Sequence, residues 1–147
     1  MSAPSVHFSS ARHDWATPPD LFARLDREFG FTLDVCALPE NTKCARFFTP
    51  DDDGLAQDWG AETCWMNPPY GSDIVRWMRK AFAASLAGAT VVCLVPSRTD
   101  TGWWHDFAMR AHERRFLRGR VRFVGATSGA PFPSAVVVFR SDRRAAR

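Results

Sequence analysis

The sequence predicts an α/β protein whose mixed sheet carries antiparallel strands at one edge. Up to Ala111, helix-spaced segments alternate with short apolar runs, the order that builds a sheet with crossover helices. Thr90–Val95 is continuously apolar, as a strand buried on both faces requires. Beyond Ala111 the runs are of β type only, at Arg114–Leu117, Val121–Val124 and Ala135–Phe139, and strands that follow one another without helices pair antiparallel.

Residues 1–14 read as a loose arm. Thr17-Pro18-Pro19-Asp20 has the chemistry of a helix start: Thr17 as N-cap, proline in the first turn, an acid near the positive end of the dipole. Leu21, Phe22, Leu25 and Phe29 follow at helical spacing, and Gly30 supplies the stop. Phe31–Ala37 is a mostly apolar strand with Asp34 set into it, Leu38–Lys43 a loop, and Ala45–Thr49 a candidate second strand. Pro50-Asp51-Asp52-Asp53-Gly54 is a turn by composition. Thr63–Met66 is a strand running straight into Asn67-Pro68-Pro69-Tyr70-Gly71, where two prolines end any ladder. Ser72 or Asp73 caps a helix that turns Ile74, Trp77, Met78, Ala81, Phe82 and Leu86 inward and closes at Gly88. Pro96–Gly102 is a polar loop, Trp103–Ala111 a short helix and Ser141–Arg147 a basic tail, so the domain proper spans residues 15–140.

With 147 residues, 46% hydrophobic and 24% charged, the chain falls in the globular range and suits one core. No apolar run approaches the roughly 18 residues that span a bilayer. The first fifteen residues lack the apolar centre of a secretory signal. A soluble cytoplasmic protein with no membrane partner is therefore expected. Cys36, Cys44, Cys64 and Cys93 contain no CxxC pair, and His105 and His112 have no partner at ligand spacing, so buried thiols and no metal are expected. Charge is uneven. Residues 1–109 hold 9 Lys/Arg against 14 Asp/Glu, whereas residues 110–147 hold 10 Arg against 2 acids. An all-arginine segment suits phosphate contacts, since guanidinium presents a planar fork to two oxygens.

Ligands of open α/β sheets bind beyond the carboxyl ends of strands. Three polar clusters fall there: Asp34 with Cys36 and Ala37, the Asn67-Pro68-Pro69-Tyr70 tetrad, and Ser97-Arg98-Thr99-Asp100. The tetrad carries the sharpest chemistry. An aryl amine is a poor nucleophile because its lone pair is delocalised into the ring, and a site can localise that pair by accepting both amine hydrogens. Asn67 offers a side-chain oxygen and Pro68 a carbonyl. The prolines bring no competing N–H and stiffen the turn. Tyr70 offers a ring face on which an extruded base can stack. A methyl donor in line with the nitrogen completes the requirement, as catalysis by proximity. Asp34, a carboxylate inside an apolar strand, needs donors, supplied either by nearby backbone amides or by a cofactor. Ser97, Arg98 and Asp100 stand where a nucleic-acid strand can pass, or else form a loop held by its own bonds. Trp103 and Trp104 are expected to pack. Arg118, Arg120 and Arg122 alternate along an expected strand, which puts all three on one face able to track phosphates.

Trp15-Ala16-Thr17-Pro18, Phe31–Ala37, Asp52-Asp53-Gly54-Leu55 and Trp65-Met66-Asn67-Pro68-Pro69-Tyr70-Gly71 together resemble the ordered motifs of the phage-type DNA adenine methyltransferases. The likeness continues through Val91–Asp100 and Pro131–Phe139, over residues 15–140. It implies a Rossmann-like fold, S-adenosylmethionine as cofactor, adenine N6 in DNA as target, and a phage or prophage gene in a bacterial host. Carried over by motif, Asn67, Pro68, Pro69 and Tyr70 are catalytic, and Thr17, Pro18, Asp34, Cys36 and Ala37 lie beside the cofactor. Asp53 matches the acid that bonds the cofactor's adenine, with Asp58 as the alternative; an ordinary Asp-Gly turn is the other reading of Asp53. One departure is plain: where a glycine-rich turn usually follows the first strand, this chain has Cys36-Ala37-Leu38-Pro39. Two other functions remain open at this point: methylation of a protein glutamine amide, and DNA binding without catalysis. So short a chain leaves little room for a target-recognition domain, which points to low sequence specificity or to help from a second subunit or copy.

Overall fold

Alternation along the central strands divides the core into two layers, one on each face of a single sheet. In the computed structural model, which describes residues 16–141, the elements are α1 (Pro19–Phe29), β1 (Leu33–Asp34), a 3-10 turn (Gly54–Ala56), β2 (Thr63–Met66), α2 (Ile74–Leu86), β3 (Thr90–Pro96), α3 (Gly102–Asp106), a second 3-10 turn (Ala108–Arg110), β4 (Glu113–Phe116) and β5 (Ser134–Phe139). The expected arm, Trp15 and residues 142–147 lie outside the described residues. Val91, Cys93 and Val95 of β3 face a core shared with Trp77, Met78 and Ala81 of α2 and with Trp103 and Trp104. Val92 and Leu94 face the other, shared with Leu21 and Leu25 of α1 and with Phe123 and Phe132. All seven residues of β3 are buried, as its unbroken apolar run requires.

The sheet has the order β1-β2-β3-β5-β4. The first three strands are parallel, and β5 is antiparallel to both β3 and β4. The α/β class and the antiparallel edge agree with the expectation. The details depart from it in places. The strand expected at Phe31–Ala37 is reduced to Leu33–Asp34; past it, Val35 N–H still donates to the Trp65 carbonyl, while Ala37 N–H donates to the Phe48 carbonyl in the following loop. Ala45–Thr49 is no strand; it contributes one bridge, Phe47 to Asp34. Val121–Val124 is also irregular. There Val121 accepts from Ala130 and Val124 donates to Ala16, so its backbone groups are used in scattered bonds and no ladder forms. On α2, Leu86 is 53% exposed and Ser85 takes the inward position, its hydroxyl donating to the Phe82 carbonyl. Ser141, expected in the tail, is buried, and its N–H donates to Thr90 Oγ1.

A clamp joins α1 to the edge strand β4. Arg115 on β4 holds both Glu28 oxygens (2.7 and 2.5 Å) and Glu113 (2.6 Å), while Arg115 and Arg140 lie against the Phe29 ring. Hydrogen bonding from Arg115 holds the carboxyls of Glu28 and Glu113 below the ordinary carboxylate range. Cys36, Cys64 and Cys93 are buried and Cys44 is half-buried. Burial pushes the Cys44 and Cys64 thiols up to about 12.

Candidate active site

Parallel strands bring their carboxyl ends to one rim, so Asp34 at the end of β1 and Asn67 just past β2 become neighbours. Between them opens a cleft with about 440 Å³ of empty space, part of it continuous with solvent. Of the residues singled out in the sequence, Thr17, Asp34, Cys36, Ala37, Asn67, Pro68 and Pro69 line it. Pro18, Asp53, Tyr70, Ser97, Arg98, Arg118, Arg120 and Arg122 do not. Ala16, Leu38, Asn41, Lys43 and Trp65 also line it and were not singled out. The signal for Asn41 and Lys43 was their place in the loop after the first strand, where such sheets hold ligands.

Thr17 is not the N-cap of α1. Pro18 takes that position in extended conformation with no side-chain cap, and Pro19 opens the helix. The Thr17 hydroxyl is thereby directed to the cleft, where it accepts from Asn67 Nδ2 at 3.1 Å. On its other side Asn67 Oδ1 accepts from the Tyr70 hydroxyl. That hydroxyl also lies 2.9 Å from the Leu94 carbonyl, so its one proton is shared between two acceptors. Burial drives the Tyr70 phenol well above its ordinary range and keeps it a donor. The Tyr70 ring meets Phe132 and Phe123 edge-on, at 5.6 and 6.2 Å between centroids. It is thus half-buried and held by its contacts with core aromatics. Likewise, the expected amine acceptor on Asn67 is held by Tyr70.

Asp34 is 3% exposed and accepts backbone N–H bonds from Cys36 (3.3 Å) and Lys43 (3.0 Å). Local amides therefore meet part of the desolvation cost of this carboxylate, one of the two readings left open by the sequence. The loop between them is pinned by Leu38 N–H to Asn41 Oδ1 and by Thr42 Oγ1 to the Cys44 carbonyl. Lys43 extends over the Phe22 ring at 5.9 Å. Desolvation lowers its pKa, and the Asp34 charge opposes that shift. An anionic residue, Asp34, and a cationic one, Lys43, thus both line the cleft.

The Asp52-Asp53-Gly54 turn packs behind β1. A Cβ on Gly54 would lie 2.2 Å from the Val35 carbonyl oxygen and 3.1 Å from the Trp77 ring, so only glycine fits. Trp59 fixes the turn through Nε1 to the Gly54 carbonyl at 2.9 Å. Asp53 just before it is the one described non-glycine residue at positive φ (57°), and it is exposed. Asp58 instead spends its carboxylate on the Gly60 N–H at 2.8 Å.

Ser97 and Arg98 follow β3 on the same rim. Ser97 N–H donates to the Pro133 carbonyl at 2.8 Å, and the Arg98 guanidinium covers the Phe132 ring at 5.6 Å. Asp100 is exposed, and Trp103 and Trp104 are buried as expected. Arg118, Arg120 and Arg122 are exposed on the irregular segment that replaces the expected strand, with Arg120 also donating to the Ala130 carbonyl at 3.3 Å.

The mixed α/β sheet with a proline-stiffened amide turn at its cleft agrees with a methyltransferase, the class that the family match shows. The family model described as DNA N-6-adenine-methyltransferase (Dam) matches residues 5–141, and the chain belongs to that family. It is 34% identical over 118 residues to the DNA N-6-adenine-methyltransferase of Haemophilus phage HP1, covering 78% of this chain and 68% of the relative. Identity to the protein of the same name from Escherichia phage T1 is 28% over 106 residues, covering 71% of this chain and 44% of that relative.

Proposed function

We propose that this chain transfers a methyl group from S-adenosylmethionine to the exocyclic N6 of adenine in DNA. The observation that carries the reading is the Asn67-Pro68-Pro69 turn lining one cleft with Thr17 and Asp34 in a member of this family. The cleft's own residues fit the cofactor. Asp34 and Lys43 supply one charge of each sign for a zwitterionic amino-acid tail, and Trp65 and Ala37 supply apolar walls. When bound there, the cofactor provides a sulfonium methyl as electrophile. Asp53, on its fixed turn behind β1, is the acid we assign to the cofactor's adenine by its place in the family motif, with Asp58 as the alternative.

Asn67 is the group that meets the target. Thr17 holds its Nδ2, which fixes the amide plane and leaves Oδ1 as the acceptor. An incoming adenine amine takes over the contact that the Tyr70 hydroxyl makes, with the Pro68 carbonyl as second acceptor. Two fixed dipoles on two N–H bonds raise electron density at nitrogen without reorganisation. Tyr70, released from Asn67, then supplies its ring to the base. Ser97, Arg98 and the arginines at 118, 120 and 122 are assigned to the DNA backbone, a partner that their exposure and charge suit.

The test is incubation with labelled S-adenosylmethionine and either duplex DNA or a protein extract, with the DNA digested to nucleosides and N6-methyladenine sought by mass spectrometry. The expected product is N6-methyladenine. Label recovered in protein glutamine, or DNA binding with no label transferred, would remove the proposal.

A further inference from the structure

Four strands end on one rim of the sheet. β1, β2 and β3 are parallel, and β4, reversed twice through β5, runs in the same direction as β3. Phe116 closes β4 level with Val95 of β3, both paired with Ala135. Its strand therefore ends on the same rim as the strand before Asn67, three strand spacings of about 4.8 Å along the sheet, or about 14 Å between backbones, with the Phe116 ring on the Trp104 side of the sheet. The major groove of duplex DNA is about 12 Å wide, a comparable span.

Phe116 is 64% exposed. One side of its ring rests on Trp104, which is itself buried, with centroids 6.2 Å apart. Its base is thus rigid while its far edge meets solvent. Arg118, Arg120 and Arg122 follow within six residues, all exposed, and no acid occurs between Glu113 and Asp142. A ring standing in so cationic a setting is matched to a polyanion that also has apolar faces to offer, which describes stacked bases between phosphates.

We propose that Phe116 is a wedge that enters the base stack at the step vacated by the target adenine, while the neighbouring arginines hold the flanking phosphates. The inference rests on the adenine reading above. An N6 amine inside a duplex is paired with thymine and cannot reach a cleft beside Asn67 without leaving the stack. A flat apolar side chain then occupies the gap and keeps the strand from closing.

The test compares methyl transfer to duplex DNA and to the same DNA after heat denaturation, where no stack has to be held open. Phe116→Ala is expected to slow transfer to duplex about tenfold or more while leaving denatured DNA within about twofold. Phe116→Trp should restore the duplex rate. Leu86→Ala, at another exposed apolar side chain, on the last turn of α2, should change neither. Equal losses on both substrates, or an unchanged duplex rate in Phe116→Ala, overturn the wedge. A readout independent of turnover is chloroacetaldehyde trapping of unpaired adenine in duplex bound by the chain. Trapping lost only in Phe116→Ala sustains the wedge even if no methyl is transferred; no trapping by the unaltered chain overturns it.

Discussion

Asn67 is held from both sides, by Thr17 through Nδ2 and by Tyr70 through Oδ1. In the proposed mechanism its replacement by alanine removes a fixed dipole at the reacting nitrogen, and losing one such group costs about 10²–10³-fold in rate. Asn67→Ala should therefore lose at least that much transfer while cofactor affinity, measured by calorimetry, stays within a few fold. A large loss of affinity would place Asn67 on the cofactor. Tyr70 separates into a hydroxyl and a ring. Tyr70→Phe removes a competitor for Oδ1 and should keep transfer near the unaltered level, at a stability cost of about 1 kcal/mol for the missing bond to Leu94. Tyr70→Ala should lose the ring's contribution as well. If Tyr70→Phe proves as inactive as Tyr70→Ala, the hydroxyl takes part in catalysis. At this scale the sequence was informative about chemistry and silent about partners. The tetrad is legible as an amide acceptor on a rigid turn, but the bond from Tyr70 back to Asn67 depends on a tertiary pocket of Phe123 and Phe132 that no local pattern encodes. Lys43 was missed for the same reason, since only the curl of its loop around Asp34 brings it to the cleft.

At the scale of elements, the turn at Gly54 decides where Asp53 stands. Gly54→Ala forces a methyl against the Val35 carbonyl and should cost about 2–3 kcal/mol by urea unfolding, as overpacking does. Asp53→Asn keeps the backbone conformation but removes the charge. It should weaken cofactor binding about tenfold with unfolding unchanged; an unaltered affinity would leave Asp53 as a simple turn residue. The clamp from β4 to α1 gives a pH signature. Glu28 and Glu113 have carboxyls lowered from 4.5, chiefly by hydrogen bonds from Arg115. Their stabilisation is complete above that value and is lost as pH falls through the lowered one. Arg115→Gln should flatten the acid side of the stability profile, and a parallel profile would show the clamp to be ornamental. Helices and central strands were legible because burial imposes their period: β2 and α2 agree with the expected bounds at the first residue. Val121–Val124 was not, because β propensity there meets no strand to pair with, and its backbone is used by Ala130 and Ala16.

For the molecule as a whole, the proposed function gives the division of charge a role in meeting DNA. Neutralising Arg118, Arg120 and Arg122 together should weaken duplex binding and reduce the slope of log affinity against log salt by up to about 0.9 for each phosphate no longer neutralised. An unchanged slope would return these arginines to the role of solubilising surface. Among the described residues no helix is long and apolar enough to cross a membrane. The mixed sheet and its antiparallel edge could be read from the order of segments. That β5 inserts between β3 and β4 could not, because sequence order does not fix spatial order in a sheet. That insertion bears on biosynthesis. While a ribosome has yet to release Ser134–Phe139, the oiliest strand of the molecule has one edge with nothing to pair against, and the stretch carrying the arginines dangles from a single anchor. Nascent protein halted before that point should be prone to clumping and dependent on chaperones, and competence to grip DNA should arrive all at once, late in translation.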